Sequence, residues 1–165
     1  IKYSLRGKQV SAKRKLLYMS PKGRRFDQNY AESLCHVSEI TLICGRFEGI
    51  DERVLVKNKI EEVSVGDYVL SGGELAAMTL LDSVVRLLPG TLGNSKSTEK
   101  ESFCDDLLEA PQFTKPIIWN DLQVPEILLS GNHEKIYEWR KEASENETKK
   151  KRPDLYIKYV EKKKK

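Results

Sequence analysis

Little in this sequence invites cross-linking or a structural metal. Cysteine occurs three times, at Cys35, Cys44 and Cys104. The number is odd and no CxxC spacing occurs, so neither a disulfide framework nor a zinc site is indicated. A reduced, cytoplasmic protein is the expectation. No apolar run approaches the ~20 residues of a membrane-spanning helix, so a membrane is not among the expected partners. No GxGxxG opens a helix and no GxxxxGK[ST] occurs, which excludes the dinucleotide fingerprint and the phosphate loop. Internal repeats are also lacking.

What is present is an ordinary globular composition with an uneven charge. The 165 residues are 39% hydrophobic and 33% charged, enough for one core, or one core with a small appended domain. Net charge is +4, yet residues 1–30 carry nine Lys or Arg against one acid, residues 31–110 seven against fifteen, and residues 111–165 thirteen against nine. Basic ends around an acidic middle suit a polyanion gripped at its edges. Lysines such as Lys162–Lys165 also serve solubility alone.

The chain is organised around Leu42–Glu74, where short apolar runs end in glycine-rich turns. Leu42-Ile43-Cys44 reads as a buried strand stopped by Gly45, and Gly45 and Gly49 bracket Arg46-Phe47-Glu48. Val63–Val65 stops at Gly66, and Tyr68-Val69-Leu70 at Ser71-Gly72-Gly73. Glycine is favoured where φ is positive or a ligand approaches the backbone. Two such loops after strands suit a ligand held by main-chain groups at the strand ends, although simple turns fit the spacing equally well.

Upstream, Lys15–Met19 reads as a strand closed by a basic turn at Ser20–Gly23, and Asp27–His36 as a helix. Downstream, Ser71–Leu88 shows a 3.6-residue stripe of Leu75, Met78, Leu81, Val84, Val85 and Leu88, which is expected to face the core and ends at Pro89-Gly90. Arg86 and Asp82 lie off the stripe at ion-pair spacing. Asn94–Ser102 contains no apolar residue and reads as a linker between domains. Beyond it, Phe103–Glu109 reads as a short helix, Pro111–Pro125 as a turn-rich passage with Trp119 packed, Ser130-Gly131-Asn132 as a helix entry, and Asp154–Val160 as a last helix. Strands alternating with helices, then helices only, indicate an α/β domain followed by a small helical one.

YMSPKGR (Tyr18–Arg24), LICGRFEGIDERV (Leu42–Val54), SVGDYVLSGGELAAMTLLDSVVRLLPG (Ser64–Gly90) and ILLSGNH (Ile127–His133) occur in that order. Together they closely resemble the bacterial tRNA (guanine-N1)-methyltransferases of the SPOUT superfamily. The resemblance implies a cofactor domain with a deep trefoil knot, an exception to the rule of unknotted chains, at residues 1–93. It further implies a linker at 94–102 and a helical tRNA-contacting domain at 103–165. Loops around Tyr18, Ser20, Pro21 and Gly23, around Gly45, Phe47 and Glu48, and around Ser64, Val65, Gly66, Leu70, Gly72 and Gly73 would line a site for S-adenosylmethionine. The same resemblance implies a homodimer with its active site at the subunit interface, methylation of N1 of the guanosine 3′ of the anticodon, and a dependence on magnesium. No dedicated metal cage is legible for that ion.

N1 of guanine carries a proton at neutral pH, so a carboxylate base is needed, and a guanidinium suits the charge that develops on O6. The family places the base before a Ser-Phe pair, here Glu101 before Ser102-Phe103. The family residue is Asp, so this carboxylate is one methylene longer; Glu99 is a less favoured substitute. Arg86 matches the family's helix arginine, and Glu109, with Ser102, the positions that meet the target nucleotide. Gly131, Asn132 and His133 read as a helix cap and His36 as a surface residue. The basic segments Lys2–Arg25 and Lys149–Lys165 would contact phosphates. Family members carry further strands upstream, so an N-terminally incomplete chain with exposed apolar surface is expected. The alternatives are an inactive RNA- or cofactor-binding fragment and a related SPOUT methyltransferase acting on ribosomal RNA.

Overall fold

The computed structural model describes residues 11–46, 48–91 and 101–164. The chain divides into two compact units, residues 1–95 and 96–165. In the first, β1 (Ser11–Arg25), β2 (Val37–Cys44) and β3 (Glu61–Ser64) form a parallel sheet in the order β2-β1-β3. Helices α1 (Gln28–Leu34), α2 (Glu52–Asn58) and α3 (Glu74–Val85) follow β1, β2 and β3 in turn. The N-terminus of α1 is fixed by Asp27, whose side chain accepts from the Tyr30 amide at 2.8 Å, and that of α2 by Asp51, which accepts from the Arg53 amide at 2.8 Å. Such caps satisfy amides that lack an intrahelical partner.

The core lies where α1 and α3 cover the sheet. Leu17, Met19 and Val63 from the strands meet Tyr30, Ala31 and Leu34 from α1 and Ala76, Ala77, Leu80 and Val84 from α3. This corrects the expected stripe in part: Val84 is buried as expected, but three other members are not. Leu75, Met78 and Leu81 are 60%, 64% and 52% exposed, so Met78 is not a core residue. Helix α3 is apolar on two sides, and the side with small residues lets its backbone come close to the sheet. Tyr68-Val69-Leu70 forms no strand; it is an exposed loop leading into α3.

Tyr30 also ties the sheet together through polar groups. Its hydroxyl donates to Glu61 Oε1 and Lys15 Nζ donates to Glu61 Oε2, each at 2.5 Å. Burial pushes the Tyr30 hydroxyl well above its ordinary value, and Glu61 adds to the rise. Burial alone would raise the Glu61 carboxyl too, but hydrogen bonds from Lys15 and Tyr30 more than offset it and hold it below its ordinary value. A carboxyl depressed in the folded state contributes stability above its unfolded value and loses it as pH falls through the folded one. The urea midpoint is therefore expected to fall from about pH 5 to about pH 3, and Glu61→Gln to lower the midpoint at neutral pH while flattening that fall. An equally steep decline in the variant would remove Glu61 from the account.

The second unit holds a hairpin of β4 (Ile118–Trp119) and β5 (Leu122–Gln123), then α4 (Glu126–Leu129), α5 (His133–Lys151) and α6 (Pro153–Lys163). It is thus not helical throughout. Trp119 is 63% exposed in that hairpin, not packed. The stretch expected as a helix at Phe103–Glu109 contains only a 3₁₀ turn, Cys104–Asp106, because Phe103, Asp105 and Asp106 have φ of 77°, 53° and 61°, outside the right-handed helical region. Asn132 caps α5 by accepting from the Lys135 amide at 3.1 Å, and His133 and His36 are exposed. Leu155 and Tyr159 of α6 are buried, and Tyr159 Oη donates to Glu145 of α5 at 2.5 Å.

Candidate functional site

At the carboxyl ends of the three parallel strands lies a cleft open to solvent. That is the end of an open α/β sheet where ligands gather. Three segments build it. Strand β1 supplies the first by leaving its ladder. Leu17, Tyr18 and Met19 oppose Glu61, Glu62 and Val63; then Arg24 opposes Val63 again and Arg25 opposes Ser64. Ser20–Gly23 therefore form an excursion that carries Ser20 and Pro21 into the cleft wall. Ser20 Oγ accepts from the Lys22 amide at 3.2 Å inside it. Its far foot is seated tightly, since a Cβ on Gly23 would stand 2.2 Å from Glu62 C and Val63 N.

The second segment follows β2. The buried Tyr18 ring rests against Gly45, where a Cβ would be 2.7 Å from Tyr18 Oη. Gly45 O accepts from the Gly73 amide at 3.1 Å, which joins this turn to the start of α3. Gly73 can come so near because a Cβ there would meet Cys44 Cα at 3.0 Å. Arg46 Nε and Nη2 both donate to Glu74 Oε1, at 2.9 and 2.8 Å. Those bonds hold the exposed Glu74 carboxyl below the usual carboxylate range.

The third segment runs from β3 to α3. Ser64 is buried, its Oγ donating to Gly66 O at 3.0 Å and accepting from the Gly66 amide at 3.3 Å. Val65, Tyr68, Val69 and Leu70 then give the cleft an apolar flank.

Ten of the residues expected at a cofactor site line this one cleft: Tyr18, Ser20, Pro21, Gly45, Ser64, Val65, Gly66, Leu70, Gly72 and Gly73. Gly23 sits beneath it against β3, and Glu48 is exposed and off the lining. Phe47 and Glu99 lie outside the described residues. Met19, Arg46, Val63, Tyr68, Val69, Ser71 and Ala76 line the cleft without having been anticipated. A usable signal existed for Arg46, which stands between two bracketing glycines, and for Tyr68–Ser71, which fill the gap between two expected segments.

Arg86, half-buried, is the C-terminal cap of α3, its amide donating to Asp82 O at 3.1 Å. Glu101, Ser102 and Glu109 belong to the second unit. There Ser102 Oγ accepts from the Glu109 amide at 3.0 Å, and Glu109 Oε1 accepts from Gln112 Nε2 at 2.5 Å. The neighbouring Leu108 is stitched to α5: its amide donates to Thr148 Oγ1 at 2.8 Å and its carbonyl accepts from Ser144 Oγ at 2.5 Å. Three residues expected to serve the target nucleotide are thus close in one loop. Among the described residues, no three His, Cys, Asp or Glu side chains gather as a metal site, and no helix is long and apolar enough to cross a membrane.

Residues 4–158 match the family described as tRNA (Guanine-1)-methyltransferase TrmD. A tRNA (guanine-N(1)-)-methyltransferase of Ruegeria sp. (strain TM1040) is 53% identical over 150 residues, covering 91% of this chain and 62% of the relative. One from Pelagibacter ubique (strain HTCC1062) is 56% identical over 145 residues, 88% of this chain and 64% of the relative. One from Bartonella tribocorum (strain CIP 105476 / IBS 506) is 53% identical over 143 residues, 87% and 62%. The chain thus spans about three fifths of the length of these curated relatives.

Proposed function

The chain belongs to the tRNA (guanine-1)-methyltransferase family, and on that footing we propose that it transfers a methyl group from S-adenosylmethionine to N1 of the tRNA guanosine 3′ of the anticodon. The observation that carries this reading is the cleft at the strand ends, lined by residues of three loops. Its residues fit the cofactor: Tyr18, Val65, Leu70 and Ala76 offer apolar surface for a nucleoside, while the glycine-rich turns offer amides and carbonyls to its polar edges. When bound there, S-adenosylmethionine supplies a methyl group on a sulfonium, already a good leaving group.

The chain's own task is then deprotonation, charge stabilisation and alignment. Glu101 takes the N1 proton as general base. Arg86 donates to O6 as negative charge develops on it. Ser102 and Glu109 hold the target nucleotide, which must leave its stack to be reached. The cleft walls fix the direction of approach, which orientation makes worth several orders of magnitude.

The chain passes β1, β2 and β3 through a trefoil knot and works as a cytoplasmic homodimer with its active site at the subunit interface; the exposed apolar face of α3, Leu75, Met78 and Leu81, supports a partner surface there. Magnesium, if bound in the working enzyme, is held together with substrate and not in a protein cage. The basic stretch Lys149–Arg152 and the lysines of α6 support phosphate contacts.

The deciding experiment is methyl transfer to a tRNA transcript with two consecutive guanosines. One methyl per transcript is expected, and none when the target guanosine is replaced. Equal transfer to both, or to neither, overturns the reading.

A further inference from the structure

Four side chains outside the cleft close on one another around the excursion of β1, and the reaction proposed above uses none of them. Lys15 precedes the excursion and Arg24 follows it. Both are drawn to Tyr30: the guanidinium carbon of Arg24 lies 4.3 Å from the ring centre and Lys15 Nζ lies 5.4 Å from it. Tyr30 is 2% exposed, and cation–π attraction strengthens as the ring is shielded from water. The hydroxyl of that ring and the Lys15 ammonium end on the two oxygens of Glu61, the first residue of β3. Strand β1 is therefore tied on both sides of the excursion, through one tyrosine, to β3.

At the far foot the backbone packs closely on β3 at Gly23, but the ladder it resumes is short. After the excursion β1 resumes for only Arg24 and Arg25, followed by the Phe26 amide donating to Ser64 O at 2.8 Å. So short a strand end frays readily, and Ser20 and Pro21 in the cleft wall would move with it.

We propose that Lys15, Arg24, Tyr30 and Glu61 form a clasp that fixes the Ser20–Gly23 excursion and so sets the shape of the cofactor cleft, with Arg24 and Tyr30 as positioning residues. The binding half of this rests on the reading that the cleft takes S-adenosylmethionine. Arg24→Ala is expected to raise the KM for S-adenosylmethionine about tenfold with little change in kcat, and Arg24→Lys, which keeps the charge over the ring, to recover most of the loss. Hydrogen exchange gives a second readout that needs no cofactor. In Arg24→Ala the amides of Ser20, Lys22 and Gly23 are expected to exchange faster while those of Leu16–Met19 keep their protection. Unchanged exchange at Ser20–Gly23 overturns the clasp, and so does faster exchange spread evenly through β1, which would make Arg24 a support of the whole sheet. Faster local exchange in a chain that binds no S-adenosylmethionine keeps the clasp and removes the functional reading instead.

Discussion

Glu101→Gln is expected to slow methyl transfer by about 10²–10⁴-fold, the usual worth of a positioned general base, with S-adenosylmethionine affinity unchanged. Glutamine keeps the length and hydrogen-bonding edge of the side chain but cannot accept the N1 proton, so the loss isolates proton transfer from binding. Glu101 is not among the residues that line the cleft, so cofactor affinity should not follow activity. Glu101→Asp restores the residue type that the family resemblance implies, and it is expected to stay within an order of magnitude of the native rate. Single-turnover transfer from labelled S-adenosylmethionine checks both variants. Native-like turnover in Glu101→Gln would remove Glu101 from the chemistry.

The second large effect falls on folding. Gly23→Ala places a Cβ 2.2 Å from two backbone atoms of Glu62 and Val63. A side chain could rotate away from such a clash; a strand backbone cannot without breaking its ladder. The cost is expected to be about 3 kcal/mol, the upper part of the overpacking range, seen as a lower urea midpoint. Gly90→Ala is the control. Nothing lies within 4 Å of that position, whose φ is +82°, so only the left-handed backbone penalty of about 1 kcal/mol applies. Equal losses in the two variants would mean that β1 does not press on β3 at Gly23.

The alternation of strands and helices was legible because each strand carries a short apolar stretch, Leu16–Met19 in β1, Leu42–Cys44 in β2 and Val63 at the end of β3. The face that α3 buries was legible only at Val84. The 3.6-residue stripe also pointed to Leu75, Met78 and Leu81, but closeness to the sheet selects Ala76, Ala77 and Leu80; periodicity cannot choose between two apolar sides of one helix. The β4–β5 hairpin was missed because strands of two residues are too short to alternate. Its turn did leave a trace: Asn120 and Asp121, with φ of 48° and 62°, are the residue types that tolerate a primed turn. Most of the cleft could be anticipated from glycine spacing and the family resemblance together. The Lys15–Tyr30–Glu61 network could not, since its members are 15 and 31 residues apart and no local pattern links them.

Met19 and Arg24 face the same residue of β3, so the sheet does not register how many residues lie between them. Length variation there is a different kind of change from length variation in a connecting loop. One residue inserted between Ser20 and Pro21 leaves both flanking rungs available, and loop entropy grows only slowly with length. Circular dichroism and thermal unfolding would then report a native protein, while the cleft wall formed by those two residues had been rebuilt. Screens that select on stability alone would pass such a variant, and only a ligand-binding measurement would distinguish it.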